Sequence, residues 1–259
     1  MSKKTLDYFI YKNLKERPYF FSFIRSQEAM LFEKYRRYCD KGILDFGCGD
    51  GFFAESIFGK KTIEIGLDVP SSRMSIAKKN NIYKKVISYD GMNIPLKPSS
   101  VDTIISNCVF EHIPHIDTSL AEMHRILKPG GHLITSVMCS SWNTNLAGGR
   151  LFGPRYIRWF NKIQEHNSLY SKTGWIKLFY KNGFDLVESE DYLYEKAAKK
   201  VEAYHFLSLY SLILYKITGN WTFGFTPPET EIKAIRKIIE TDKKSPSACF
   251  FVLKKNKPQ

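Results

Sequence analysis

The chain has 259 residues, 43% of them hydrophobic and 25% charged. That length suits one large domain or one domain with an insertion, and the apolar fraction allows a full core, so disorder is not the default. Lys and Arg number 39 against 26 Asp and Glu, a formal net charge of +13. Such an excess favours anionic partners: nucleic acid, an anionic membrane surface or a phosphorylated substrate. It is spread along the chain rather than gathered in one tract, so a merely basic, solvated surface carries equal weight. Cys39, Cys48, Cys108, Cys139 and Cys249 are scattered without metal-ligand spacing, and no metal is expected. Met1-Ser2-Lys3-Lys4 is too polar to begin a secretory signal, so reduced thiols in a cytoplasmic protein are the expectation.

Residues 1–40 read as one or two helices. Phe20, Phe21, Phe23 and Ile24, then Ala29, Met30, Phe32 and Tyr35, lie at helical spacing, and Pro18 punctuates the segment. Arg25 and Glu28 read as charges on a solvated helix face ahead of any role in a pocket. Next comes Ile43-Leu44-Asp45-Phe46-Gly47-Cys48-Gly49-Asp50-Gly51. A short apolar run ends in an acid, and glycines follow at every second position. Helical spacing resumes with Phe53, Ala54, Ile57 and Phe58. This predicts a strand, a tight turn and a helix start. Glycines there let a ligand approach the main chain closely.

A second acid, Asp68, closes the apolar run Ile63-Glu64-Ile65-Gly66-Leu67. An acid at the end of a second strand, about 20 residues past a glycine turn, can hold the hydroxyls of a ribose. The turn is Gly-x-Gly-x-Gly rather than the Gly-x-Gly-x-x-Gly of dinucleotide folds. Asp45 and Asp50 would repel a pyrophosphate at the helix start. A nucleoside ligand carrying positive charge suits these acids better, and S-adenosylmethionine, with its ammonium and sulfonium, fits.

Further strands are predicted near 85–89, 102–107 and 131–138, and helices near 71–80 and 117–128, the latter capped by Asp117 and ended by Pro129-Gly130-Gly131. Alternating strands and helices predict a mainly parallel sheet with helices on both faces and its ligand at the carboxyl ends of the strands. The segments ILDFGCGDG, IGLDVPSSRMSIAKK, YDGMNIPLKPSSVDTIISNCVFEHI and LAEMHRILKPGGHLI, over roughly residues 41–137, resemble class I S-adenosylmethionine-dependent methyltransferases. The likeness is to the small-molecule group that includes the ubiquinone and menaquinone methyltransferases. It implies an α/β, Rossmann-like fold with a seven-stranded sheet. It also implies cofactor roles. Asp45, Gly47, Cys48 and Gly49 would flank the methionine moiety, and Asp68 would hold the ribose hydroxyls. Val69 would touch the adenine. Asp90 would accept from its amino group beside Gly91 and Met92, and Asn107 would lie near the methionine. For Asp90-Gly91 the competing reading is a plain turn.

Beyond the fifth strand the pattern departs from a minimal fold. Residues 139–170 are rich in aromatic and basic side chains, including Trp142, Arg150, Phe152 and Trp159, and read as a substrate-side insertion. A helix at 171–182, a strand at 184–190 and a strand at 248–254 complete the cofactor-binding domain, assigned to 41–190 and 248–254. Residues 1–40 form an N-terminal helical cap. The 191–247 stretch is too long for a structureless loop and is read as a helical insertion between the last two strands. Its centre, Tyr204 to Tyr215, is apolar nearly all round but too short to span a bilayer. A buried cap helix leads there. An interfacial helix with Lys196, Lys199, Lys200 and Lys216 facing an anionic surface is the alternative, as is a dimer surface.

The transfer expected of such a fold is an in-line displacement, so positioning dominates. A base is needed only for a protonated nucleophile. The catalytic candidates are His112, in Phe110-Glu111-His112-Ile113, and His166, paired with Tyr170. For His112 a structural hydrogen bond is an equal reading. His115 and His124 read as surface residues. The expected substrate is a small or lipid-linked molecule with an anionic part, such as a glycan precursor, a polyprenyl-linked sugar or a quinone-like ring, methylated at oxygen or carbon. Peripheral contact with an inner membrane face goes with that reading, and specific nucleic-acid binding does not. Two alternatives remain: an RNA methyltransferase, disfavoured because Asn107-Cys108-Val109-Phe110 lacks an Asn/Asp-Pro-Pro-aromatic motif, and a non-catalytic assembly protein of the same fold.

Overall fold

The computed structural model describes residues 4–39, 41–60 and 62–256; Met1, Ser2 and Lys3 of the leader reading lie outside them. The strands are β1 (Ile43–Phe46), β2 (Ile63–Asp68), β3 (Tyr83–Ser88), β4 (Val101–Asn107), β5 (Leu127–Met138), β6 (Phe184–Tyr192) and β7 (Ala248–Lys255). The helices are α1 (Leu6–Glu16), α2 (Phe21–Lys34), α3 (Phe52–Phe58), α4 (Ser72–Lys79), α5 (Ile116–Ile126), α6 (Trp142–Asn145), α7 (Ala147–Ile163), α8 (Lys172–Lys181), α9 (Glu195–Leu207), α10 (Leu209–Thr218) and α11 (Glu229–Thr241).

The strands form one sheet in the order β3-β2-β1-β4-β5-β7-β6, and the pairings from β3 through β5 are parallel. The order reverses at β1, so the carboxyl ends of β1 and β4 open the crevice where ligands of such sheets bind. Both faces are covered. Phe251 of β7 meets Phe179 of α8 at 5.4 Å, in a core that also holds Leu120 and Met123 of α5. Its neighbour Phe250, pointing the other way along the strand, stacks on Tyr35 at 5.5 Å.

The chain divides into two compact units. The α/β unit comprises Lys34–Cys139, Glu165–Glu190 and the chain from Cys249 onward. The second unit gathers the chain up to Glu33, Ser140–Gln164 and Asp191–Ala248. Its interior is polar as well as apolar. Buried Glu202 accepts from the Ala147 and Gly148 amides at 2.6 and 3.0 Å and from the Tyr156 hydroxyl at 2.6 Å, which anchors the start of α7.

Several expectations are corrected. α5 stops at Ile126 because Leu127 is extended, with ψ 137. Pro129-Gly130-Gly131 lies within β5 instead. There the register jumps from Val101↔Leu127 to Thr103↔His132, and a Cβ on Gly131 would meet the Asp102 carbonyl at 2.7 Å. Asp117 does not cap α5. It sits in the first turn and accepts from Lys181 and Asn182 at 3.0 Å each. His124 is not a surface residue, for its ring is half-buried and edge-on to Phe184 at 5.6 Å. Glu28 is fully buried, paired with Arg25 at 2.7 Å and accepting from Tyr192 at 2.9 Å, rather than solvated. The apolar run Tyr204–Tyr215 is not one buried helix. Ser208 ends α9 and starts α10, and α10 exposes Leu209 (63%), Tyr210 (57%), Ile213 (53%) and Ile217 (77%).

Candidate active site

β1 ends in Asp45 and Phe46, and the chain then turns through Gly47, Gly49 and Gly51, with φ of 76°, 54° and 79°. Only glycine adopts these values without strain. The Gly47 and Cys48 amides donate to the Leu67 carbonyl at 2.8 and 3.1 Å, which ties the turn to the end of β2. The Gly49 amide donates to Asp68 Oδ2 at 2.7 Å, and the Val69 amide donates to Asp68 Oδ1 at 2.8 Å. Asp68 is therefore fixed by two backbone amides, and each oxygen keeps a lone pair for a ligand hydroxyl. A Cβ on Gly49 would meet nothing within 4 Å, so the turn borders open space.

Asp45 is buried, and its Oδ2 accepts from the Tyr83 hydroxyl at 2.6 Å. Burial pushes its carboxyl up to about 7; the Tyr83 hydrogen bond opposes the rise and the Asp68 charge adds to it. Burial likewise raises Asp68, against the Gly49 and Val69 amides and Arg73. Two acids with penalised ionisation beside an open glycine turn suit a cationic nucleoside ligand. The same burial and the two acids push the Cys48 thiol up, so it is no thiolate nucleophile.

The remaining predicted cofactor residues cluster at neighbouring strand ends. The Tyr89 amide donates to the Asp68 carbonyl at 3.1 Å, which places β3's end beside β2's. A Cβ on Gly91 would lie 3.7 Å from the Val69 side chain, and Val69 and Met92 are both exposed. Asp90 caps its own turn, accepting from the Met92 and Asn93 amides at 2.8 and 2.7 Å, which holds its carboxyl below the usual range. Asn107 ends β4 and accepts from the Ser136 hydroxyl at 2.7 Å.

The loop after β4 carries the second cluster. Cys108 adopts φ 49 and Glu165 φ 56, both left-handed and neither glycine. The Asn167 and Ser168 amides donate to the Glu111 carbonyl at 2.8 and 3.1 Å, and Asn167 Nδ2 donates to the His112 carbonyl at 2.6 Å. These bonds bring His166 against His112, with ring centroids 5.3 Å apart. His112 Nδ1 lies 3.2 Å from the Glu165 carbonyl oxygen. A carbonyl only accepts, so Nδ1 carries the proton and Nε2 presents a lone pair. Burial and the neighbouring His112 pull half-buried His166 down to about 3, so its ring is neutral at physiological pH. Buried Glu111 completes the cluster, its Oε1 accepting from the Met138 amide at 3.2 Å. Tyr170 lies edge-on to Trp175 at 5.0 Å. Sequence reasoning missed Tyr83, whose hydroxyl reaches a different strand, and the grouping of Glu111 with His166, which are far apart in the chain.

The family model described as a methyltransferase domain matches residues 44–135. Over this stretch the chain is similar to S-adenosylmethionine-dependent methyltransferases of class I. This region is 27% identical over 96 residues to a malonyl-[acyl-carrier protein] O-methyltransferase of Hamiltonella defensa, covering 37% of this chain and 37% of that one. It is 25% identical over 104 residues to a ubiquinone biosynthesis O-methyltransferase of Acinetobacter baylyi, covering 38% and 44%. The chain spans about half the length, or less, of the curated relatives it matches. Its fold is similar to that of a Haemonchus contortus phosphoethanolamine N-methyltransferase solved with phosphomonomethylethanolamine and S-adenosylhomocysteine. There the TM-score is 0.59 at 20% identity, over 89% of this chain and 53% of that one. No helix among the described residues is long and apolar enough to cross a membrane.

Proposed function

We propose that the protein transfers a methyl group from S-adenosylmethionine to a hydroxyl oxygen of a small acceptor. The observation that carries this reading is a pair of acids, buried Asp45 and half-buried Asp68, around an open glycine turn at the switch point of the sheet. When bound, the cofactor supplies an electrophilic methyl on a cationic sulfur. Asp45 and the Gly47–Gly49 turn would hold its cationic methionine end, and Asp68, oriented by the Gly49 amide, would accept from the ribose hydroxyls. Val69, Gly91 and Met92 would flank the adenine, Asp90 would accept from its amino group, and Asn107 would lie near the methionine moiety.

His112 takes the acceptor's proton. Its Nδ1 is committed to the Glu165 carbonyl, so Nε2 is the basic atom. His166, held neutral and weakly basic, orients the acceptor by hydrogen bonding rather than by removing the proton. Tyr170 stands as a contact for the acceptor's ring or chain. Need of a base favours a protonated oxygen nucleophile over a quinone-like carbon that is already acidic.

The surface of the helical unit supports an amphipathic class of acceptor. α7 exposes Leu151, Phe152 and Trp159 together with Arg155 and Arg158, and α10 exposes apolar side chains together with Lys216. An apolar surface of this kind on a basic protein suits an anionic bilayer face, and hence a lipid-linked or otherwise amphipathic acceptor with an anionic group. Transfer of label from methyl-labelled S-adenosylmethionine to such acceptors tests the reaction. Labelling of RNA in place of every small acceptor would transfer the reading to an RNA methyltransferase. Cofactor binding without labelling of any acceptor would favour an assembly role.

A further inference from the structure

His112 after β4, His166 after α7 and the neighbouring Glu111 carboxylate have a geometry that a general base does not need. One ligand-type atom from each of Glu111, His112 and His166 lies within 4.8 Å of the other two. Ligands about 2.1 Å from a tetrahedral ion stand about 3.4 Å apart, which small side-chain rotations here would reach. The surroundings also match a metal site. His112 donates Nδ1–H to a backbone carbonyl, the arrangement that orients an imidazole to ligate through Nε2. Glu111 is anchored by the Met138 amide, and its backbone carbonyl holds the His166 loop through the Asn167 and Ser168 amides. The left-handed Glu165 turns the carbonyl that His112 needs toward the ring.

We infer that Glu111, His112 and His166 form a binding site for a divalent transition cation, with positions open for a hydroxyl or carboxyl oxygen of the acceptor. Two imidazoles and one carboxylate select zinc, cobalt, iron or manganese over calcium and magnesium, which prefer all-oxygen sets. Buried Glu111 would bind as the carboxylate, with its charge offset by the cation, and both imidazoles in their neutral form. In the loaded site His112 Nε2 would be a ligand and could no longer serve as the base, a role it keeps only in the metal-free protein. The cation would acidify an acceptor hydroxyl bound to it, whose proton would leave to water as the C–O bond to the methyl forms and the methyl's bond to sulfur breaks, releasing S-adenosylhomocysteine. The inference rests on the cluster alone, and cofactor binding stands or falls separately.

The test uses tag-free full-length protein, stripped with chelator and titrated with Co2+ while its visible absorption is followed, and with Zn2+ in a calorimeter. One equivalent per chain with saturable visible bands is the expected result. His166→Gln and His112→Ala should each weaken binding at least tenfold, with the bands lost. Titration with S-adenosylhomocysteine and a thermal melt report whether each variant is folded. If His112→Ala fails to fold, the milder His166→Gln decides. No saturable cobalt spectrum in folded wild-type protein, or equal affinity in a folded His166→Gln variant, overturns the inference.

Discussion

The Tyr83 hydroxyl, at the start of β3, donates to Asp45 Oδ2 on β1 across the whole width of β2, at 2.6 Å. The crossing is open because Gly66 lies between them. A Cβ there would meet the Tyr83 ring at 2.7 Å. In register, Asp45 pairs with Gly66, so the glycine stands where the phenol must pass. The bond stabilises the carboxylate of a fully buried acid.

Removing that bond should act on binding through charge. Tyr83→Phe is expected to raise the Asp45 carboxyl further and weaken S-adenosylmethionine binding several-fold at pH 7. The loss should shrink at pH 9, where Asp45 is ionised in both proteins. Calorimetry at the two pH values checks it, and equal losses at both would detach Tyr83 from the charge of Asp45.

The pH dependence follows from the same acid. Asp45 sits at about 7 in the folded chain against an ordinary value of 3.8. Because the folded pKa is raised, the folded state holds a proton that the unfolded chain has released. Stability of the ligand-free protein therefore falls as pH rises from about 4 to about 7, and is level above that. Affinity for the cationic cofactor should rise about tenfold between pH 6 and pH 8, as the carboxylate forms. Asp45→Asn should flatten both profiles. Chemical denaturation and calorimetric titration across this range read them out.

Asp68 holds the turn as well as the ligand. Asp68→Ala leaves the Gly49 and Val69 amides without their acceptor and should weaken cofactor binding by about 1–3 kcal/mol. Unchanged affinity in a folded variant would remove Asp68 from the site.

Two glycines of one turn should respond differently. Gly47→Ala would put a Cβ 2.5 Å from Val109 Cγ2 at a left-handed φ, so it should destabilise the fold by more than the roughly 1–2 kcal/mol of the backbone alone. Gly49→Ala meets only open space. It should cost little beyond the backbone strain yet weaken cofactor binding at least tenfold, because the new methyl occupies the ligand's side of the turn. Thermal melts paired with titrations separate the two effects.

The exposed face of α10 should read out on lipid. The protein is expected to sediment with vesicles containing phosphatidylglycerol and not with neutral phosphatidylcholine. Leu209→Gln combined with Ile213→Gln should abolish sedimentation and spare cofactor binding. Equal sedimentation with both lipids, or with neither, would remove the anionic bilayer as the partner of this face.

The alternation of short apolar runs with helical spacing made strands β1–β5 legible from sequence, as did the acids that close β1 and β2. Local chemistry fixes those elements. What stayed hidden depends on contacts between distant positions. Pro129-Gly130-Gly131 looked like a helix stop, but strand pairing with Val101 and Thr103 absorbs it as a bulge. Glu28 looked solvated until Tyr192, far along the chain, supplied its hydrogen bond. The apolar run at Tyr204–Tyr215 looked like core, because hydrophobicity does not say whether a helix finds a partner surface. His112 and His166 were singled out separately, but only the backbone bonds from Asn167 and Ser168 to Glu111 bring them together.

The measurement that tests the central claim most directly is calorimetric titration of the folded protein with S-adenosylmethionine and S-adenosylhomocysteine at pH 7.5. Micromolar, one-to-one binding of both is the expected result, with the affinity for each weakened in Asp68→Ala. Absence of binding to either, in protein shown to be folded, would contradict the assignment of the glycine turn and its two acids to a methyl-donor site.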